Sequence, residues 1–365
     1  MNNHQPVWAI VGGGNGGQSL AAHLGLMEFT VRLYDIFPDT VDAIQNQGGI
    51  HVNGAVNGFG KVALATTDLS AAVAGADVIM VVAPAIAHHS IAKACAPLLQ
   101  NGQILFVHPG ATGGALEFAA ILEKQQCAAR VTIAESNSLL YACRSRAPGH
   151  TSILGIKKEL MVAALPAVDT SRALSILNTA FPQMVAGKNV LETSLGNPNA
   201  MMHPAPTLLN TSLIESDRDW LYYWDGITPS IGAFVEAMDR ERMAIGAALD
   251  LTLPPIRQWY AEAYGAVGDT LSQAVKNNPA YENVAGQHSL RTRYLLEDIP
   301  TGLIPMASLA KLLGVDAGRI ETIIALGRYV LDDDLAQHAR TVETLGLAGM
   351  TAAQIQQYLL TGAHA

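Results

Sequence analysis

The sequence is poor in cysteine, in charge and in long apolar runs, and each shortage excludes something. Cys95, Cys127 and Cys143 are an odd number with no paired spacing. They offer no disulfide framework and no metal-type cluster, so reduced thiols in a cytoplasmic protein are expected. Charged residues are 15% of the chain, below the usual ~25%. The balance is acidic, with a net charge of -9, which argues against a nucleic-acid partner. The longest strongly apolar run, residues 78–87, is interrupted by Pro84 and is too short to span a membrane. The start, MNNHQPVW, has no basic region followed by an apolar one, so no secretory signal is expected. No fixed-period repeat or low-complexity tract is visible. Hydrophobic residues make up 50% of 365 residues, enough for about two domains and for a subunit contact; a homodimer is expected.

What is present is concentrated first in residues 7–35, VWAIVGGGNGGQSLAAHLGLMEFTVRLYD. An apolar run at 7–11 reads as a buried strand. Gly12, Gly14 and Gly17 follow in the spacing G-x-G-x-x-G, then an alanine- and leucine-rich helix over 18–27, then a strand over 30–34 that ends at Asp35. That order is the logic of a dinucleotide site. Gly12 allows the sharp turn, Gly14 lets a pyrophosphate approach the backbone, and Gly17 lets helix and strand pack closely. The free N–H groups of the helix start, in Asn15, Gly16 and Gly17, then face the phosphates. Asp35 stands near the spacing at which an acid accepts from the ribose hydroxyls. A carboxylate there repels a 2′-phosphate, so NAD(H) is expected over NADP(H). A tight strand-to-helix turn without ligand is the bland alternative, and the full context disfavours it.

Further strands are expected at 77–82, 103–107 and 130–135, with others at 151–154 and 160–164, alternating with helices at 39–47, 88–99 and 170–179. This alternation means a doubly wound α/β sheet. Pro84 lies past the end of the strand at 77–82, on the edge where ligands lie in such sheets, or it merely stops the strand. The loop HPGATGG, His108 to Gly114, lies on the same edge. Its N–H groups and the Thr112 hydroxyl suit a carboxylate or amide, or the loop is simply a turn. Arg144 and Arg146 lie just past a strand and are either solvated or paired with an acidic substrate.

The boundary is placed at Gly187-Lys188, giving a dinucleotide-binding domain over 1–187 and a helical domain over 188–365. From Val190 the strand-like runs vanish. In NPNAMMHPAPTLLN, residues 197–210, the proline after His203 pushes that residue out of helical geometry. The imidazole then sits at a helix end whose carbonyls favour its cation, which suits a proton donor; a satisfied histidine at a kink is the alternative. DWLYYWDG, residues 219–226, supplies a pocket for an apolar side chain, or core. In LRTRYLLEDIPTGL, residues 290–303, Arg293 can hold a carboxylate and Asp298 can orient an imidazole, unless the two form an internal salt bridge.

At these residues the chain resembles the opine dehydrogenases, the octopine/nopaline dehydrogenase family. The resemblance covers nearly the whole chain: GGGNGG, PGATGGALEF at 109–118, MHPAPTLLN and RYLLEDIPTGL. It implies an N-terminal Rossmann-type sheet and an all-α C-terminal domain. It implies an enzyme that condenses the amine of an L-amino acid with a 2-oxo acid, commonly pyruvate, and reduces the imine with NAD(P)H. Carried over by motif, His203 is the general acid/base, Asp298 its orienting partner and Arg293 the clamp for the 2-oxo acid carboxylate. The glycerol-3-phosphate dehydrogenases and ketopantoate reductases share the architecture but rely on a lysine in the helical domain, and no lysine here matches it. A hydroxy-acid or glycerol-3-phosphate-type dehydrogenase and a non-catalytic NAD(H) sensor are the competing readings. The opine chemistry requires the nicotinamide to meet the His203–Asp298 couple, and no reading calls for a metal, nucleic acid or membrane.

Overall fold

The structure, a computed structural model, describes residues 5–363. In chain order the elements are β1 (Trp8–Val11), α1 (Asn15–Leu26), β2 (Val31–Tyr34), α2 (Pro38–Gln47), β3 (Gly49–Gly54), β4 (Gly58–Lys61), β5 (Leu64–Thr66), α3 (Leu69–Val73), β6 (Val78–Val81), α4 (His88–Cys95), β7 (Ile104–Val107), α5 (Gly114–Lys124), β8 (Thr132–Ser136), β9 (Tyr141–Ala147), β10 (His150–Ile156), β11 (Leu160–Leu165), α6 (Thr170–Leu177) and β12 (Met184–Ala186). Helices follow: α7 (Val190–Leu195), α8 (Asn199–Met202), α9 (Pro204–Leu209), α10 (Thr211–Ile214), α11 (Pro229–Ala247), α12 (Ile256–Tyr264), α13 (Leu271–Lys276), α14 (Arg293–Leu296), α15 (Ile304–Leu313), α16 (Gly318–Leu331) and α17 (Ala352–Thr361). The described chain divides into two compact units. One holds residues 5–110, 114–193 and 358–363; the other holds 111–113 and 194–357. No helix among the described residues is long and apolar enough to cross a membrane.

The first unit is built on an eight-stranded sheet in the order β12-β11-β8-β7-β6-β1-β2-β5. From β5 to β8 every neighbouring pair is parallel. β11 then pairs antiparallel with β8. The central strands β1, β6 and β7 are buried at every position. Such strands are covered on both faces, which is why they read as unbroken apolar runs. The chain leaves β1 toward β2 on one side and returns through β6 on the other. The strand order therefore reverses between β1 and β6, the crevice where open α/β sheets bind ligands.

A second sheet, β4-β3-β10-β9, was not foreseen in the sequence. The strand expected at 151–154 belongs to it and not to the main sheet. It packs on α1, which touches all four of its strands. Hence α1 is buried nearly all round, at Gln18 and Ser19 as well as at Leu20, Ala21, Ala22 and Leu24. Close approach dictates the glycines here. A Cβ on Gly60 would lie 2.0 Å from the Ala22 carbonyl oxygen, and one on Gly25 would lie 2.3 Å from that of Lys61.

In the second unit α11 is central, contacting α8, α9, α12, α13, α15 and α16. Thr228 caps its start by accepting from the Ile231 N–H (3.4 Å), with proline at the first turn, as its sequence signal predicts. Strands are absent from this unit among the described residues, apart from one isolated bridge between Leu221 and Ala285.

Candidate active site

The glycine turn of the first unit separates its three glycines by role. Gly12 has φ +116°, and a Cβ there would lie 2.3 Å from the Val82 carbonyl oxygen, beside the end of β6. A Cβ on Gly17 would lie 1.7 Å from the Gly12 carbonyl oxygen, so this residue is needed by the fold itself. Around Gly14 nothing lies within 4 Å of a built Cβ. Protein does not require that glycine, and a ligand at the backbone would. Gly14 is also the N-cap of α1, and no side chain caps the helix. Its first N–H groups are thus left for an anion. The residues present fit a dinucleotide.

Asp35 is buried at the tip of β2. One oxygen accepts from the Gly13 N–H and the other from the Phe37 N–H at 2.9 Å. The carboxylate is therefore fixed against the glycine turn with lone pairs to spare. Asn15 does not offer its side chain freely: its Oδ1 accepts from the Ser145 N–H at 2.8 Å. A Cβ on Gly16 would lie 2.9 Å from a Val82 methyl. Pro84 is exposed and opens a short 3₁₀ turn, Ala85–Ala87, just past β6. Replacing Gly14 with valine is expected to leave the melting temperature within a few degrees of wild type but to weaken NADH binding at least about a hundredfold. Fluorescence titration and thermal melting check this; retained NADH affinity would remove Gly14 from the phosphate path.

Of the two readings of the HPGATGG loop, three of its N–H groups favour the turn. Its N–H groups have protein partners: Gly110 donates to Ser136 O (3.1 Å), Thr112 to Thr301 O (3.1 Å) and Gly113 to Ser194 Oγ (2.9 Å). His108 is fully buried; its Nε2 accepts from the Leu140 N–H at 3.2 Å and its Nδ1 lies 2.6 Å from Ser136 Oγ. Burial, and then Lys157, pull its pKa down to about 3, so it stays neutral and structural. Burial likewise lowers Lys157 to about 8; its ammonium donates to Ser138 Oγ at 2.6 Å. Thr112 keeps one group in reserve. It is 1% exposed, and its Oγ1 has no hydrogen-bond partner among the described residues. Buried hydroxyls are seldom left so without a use.

In the second unit the chain bends at His203, the C-cap of the single-turn helix α8 and the N-cap of α9. The bend follows from Pro204. The imidazole is held on three sides. Its Nδ1 lies 2.7 Å from Asp298 Oδ2, and both side chains are nearly buried (12% and 8% exposed). Its face stacks on Tyr294 at 3.9 Å with the rings 9° from parallel. Its backbone carbonyl accepts from the Tyr222 hydroxyl at 2.9 Å. Burial raises the Tyr222 pKa well above its ordinary value, so that hydroxyl remains a donor. Nε2 has no protein partner among the described residues. Nδ1–H donation to a carboxylate selects the tautomer whose Nε2 is the acceptor. This is the orientation an acid/base imidazole needs.

Asp298 reaches His203 through wide turns. Its N–H bonds to the Arg293 carbonyl (3.2 Å), and the Leu303 N–H bonds to its own carbonyl (3.0 Å). Both are five-residue steps, and Ile299–Leu303 is a π turn, a device common at functional sites. Thr112 is tied to this turn through Thr301. Arg293 is not joined to Asp298. It pairs with Glu297 at 3.1 Å, four residues on, with its own side chain 62% exposed. Of the aromatic segment, Trp220, Tyr222 and Tyr223 are buried and Trp224 is exposed; Tyr223 stacks on Tyr281 at 3.9 Å. Tyr294, stacked on the imidazole, is the neighbour that sequence reasoning missed, whereas Tyr222 belongs to the aromatic segment it singled out.

Comparison with known proteins came to the same two halves. Residues 186–331 match the family described as NAD/NADP octopine/nopaline dehydrogenase, alpha-helical domain, and residues 8–120 match the NAD-dependent glycerol-3-phosphate dehydrogenase N-terminus. The chain is 44% identical over 350 residues to an opine dehydrogenase of Arthrobacter sp. (strain 1C), covering 96% of this chain and 97% of that protein. Its fold matches octopine dehydrogenase solved with NADH and L-arginine (TM-score 0.78, 24% identity) and with NADH and pyruvate (TM-score 0.77, 23% identity), each over 99% of both chains.

Proposed function

This chain belongs to the opine dehydrogenase family, and from that premise we propose how its residues carry the reaction. It is an NAD(H)-dependent oxidoreductase that joins an amino-acid amine to a 2-oxo acid and reduces the resulting imine, or runs the reverse oxidation. The observation that carries the residue assignment is the His203 imidazole, fixed by Asp298 at 2.7 Å with Nε2 left free. In our reading His203, as imidazolium, protonates the leaving hydroxyl of the carbinolamine from Nε2. Asp298 holds the ring and stabilises its cation. Arg293 turns from Glu297 to the carboxylate of the 2-oxo acid, a partner its guanidinium can hold with two parallel bonds. The Thr112 hydroxyl supplies a further hydrogen bond to substrate. A nicotinamide, when bound, supplies the hydride.

The test is NADH consumption, followed by absorbance, with pyruvate and a panel of L-amino acids, and the product identified by mass spectrometry. Consumption that requires both substrates supports the reading. Consumption with the oxo acid alone makes the chain a hydroxy-acid dehydrogenase. Tight NADH binding without consumption makes it a sensor. The buried aromatic cluster and the low charge favour an apolar amino-acid side chain.

Preference for NAD over NADP rests on Asp35, whose carboxylate accepts from the Gly13 and Phe37 N–H groups. Asp35→Ala should weaken NADH about tenfold, the worth of a hydrogen bond to a charged group, while NADPH binding improves. Unchanged dissociation constants for both would refute this role. We also propose a cytoplasmic homodimer. Cys95 and Cys143 are buried free thiols, and burial raises Cys95 to about 12. Exposed Tyr329 and Val330 near the end of α16 give a second copy an apolar face. Sedimentation equilibrium should return twice the chain mass; a monomer at micromolar concentration overturns the dimer.

A further inference from the structure

The second sheet carries a charge pattern unlike the rest of the chain. Residues 49–61 and 141–156, which make up its strands and tight turns, hold Lys61, Arg144 and Arg146 and not one Asp or Glu, in a protein of net charge -9. On this sheet lies a basin of about 380 Å³. His51 and His150 stand side by side in the parallel register of β3 and β10, and Asn53 and Ser152 repeat that alignment two residues on. All four line the basin, as does Arg146 from β9. The two imidazoles stack at 5.2 Å, 22° from parallel. His150 Nδ1 lies 3.3 Å from the Pro148 carbonyl oxygen, which engages Nδ1 and leaves Nε2 without a protein partner among the described residues. The Arg146 guanidinium forms no ion pair among the described residues.

We propose that this basin is a second anion site, for a small oxyanion carrying two or more charges. Every polar group named is a donor or can become one, and no carboxylate lines the basin. Of the neighbouring strands, β9 carries Arg144 and Arg146, of which Arg146 lines the basin, and β4 carries Lys61, with Phe59 of β4 against the His51 ring at 4.8 Å. From α1 the titratable group is His23, which is bonded to Tyr141 at 2.6 Å. α2 meets β3 near its carboxyl end, where Gln47 donates to the Gly49 and Gly149 carbonyls (3.0 and 3.1 Å); its acids, Asp39 and Asp42, lie in its first half. The charged groups on the strands beside the pair are thus all cationic, which favours a bound anion. None of the lining residues belongs to the glycine turn or is Asp35, so occupation does not require the dinucleotide to leave.

Calorimetric titration of the full chain with inorganic pyrophosphate tests this, with citrate beside it to separate phosphate from carboxylate ligands. Saturable binding of either, unchanged by saturating NADH and weakened about tenfold in Arg146→Ala, is the expected result. Arg146 is exposed, so that variant should fold. Sulfate should bind through the same groups, and His51→Gln with His150→Gln should weaken it several-fold. No heat with either anion, wild-type affinity in Arg146→Ala, or displacement of the anion by NADH overturns the proposal; the last would assign the anion to the dinucleotide turn.

Discussion

His203→Ala should lower turnover by at least about a hundredfold, the usual worth of a positioned proton donor, while NADH affinity stays at the wild-type value. The two halves of that expectation have separate causes. The carbinolamine hydroxyl leaves as water only if it is protonated, and the partner-free Nε2 of His203 is the atom in this cluster positioned to deliver a proton. NADH is assigned to the glycine turn of the first unit, where His203 takes no part. Alanine also leaves Asp298 nearly buried (8% side-chain exposure) without its imidazole, at a cost of about 1–3 kcal/mol. A modest fall in melting temperature therefore accompanies the loss of rate. His203→Gln provides the control, since its amide can still donate to Asp298 but cannot exchange a proton near neutral pH. If both variants turn over near the wild-type rate, His203 is not the acid. If alanine alone is slow, the ring serves packing and not proton transfer.

Much of this was legible because local chemistry dictated it. A strand, a glycine turn, a helix and an acid-tipped strand require only short-range pattern, and β1, α1, β2 and Asp35 stand where that pattern predicts. His203 was legible through Pro204, which bends the chain whatever surrounds it. The second sheet was not. Its strands show individually as glycine-punctuated runs, but β3 joins β10 across about a hundred residues, and no local period encodes that pairing. The signal that was available lay in Gly25, Gly58 and Gly60, which permit close approach of β4 to α1. Nor could Arg293 be assigned its neighbour. Five-residue spacing to Asp298 suggested a pair, yet α14 puts residues four apart on one face, so the guanidinium meets Glu297. Tyr294 carries no sign in its own neighbourhood: its stacking on His203 follows from the π turns that place 294 and 298 around one imidazole. In the HPGATGG loop the choice between ligand donors and a plain turn stayed open because its carbonyl and hydroxyl partners come from residues 26 to 189 positions away.

Asp298→Asn should cost more than its size implies, roughly a thousandfold in turnover with little change in the affinity for NADH. The carboxylate does three things for His203. It accepts from Nδ1–H and so selects the tautomer, it holds the ring on its stack with Tyr294, and its charge stabilises the imidazolium that must form before protonation. The asparagine is nearly isosteric and keeps the second of these, since its amide can still bond to Nδ1. The first is put at risk: an amide nitrogen turned toward Nδ1 donates instead, which places the ring proton on Nε2 in the neutral form. The third is lost outright. A neutral partner gives the cation no such support, so the step that needs the imidazolium should slow. Asp298→Glu should recover part of the rate, because charge is restored and only geometry is disturbed. A purely structural role predicts the opposite order, with the isosteric asparagine active and the longer glutamate impaired. The ranking of these two variants at one pH therefore decides whether the carboxylate acts through its charge on the imidazole or only through the bond that holds it.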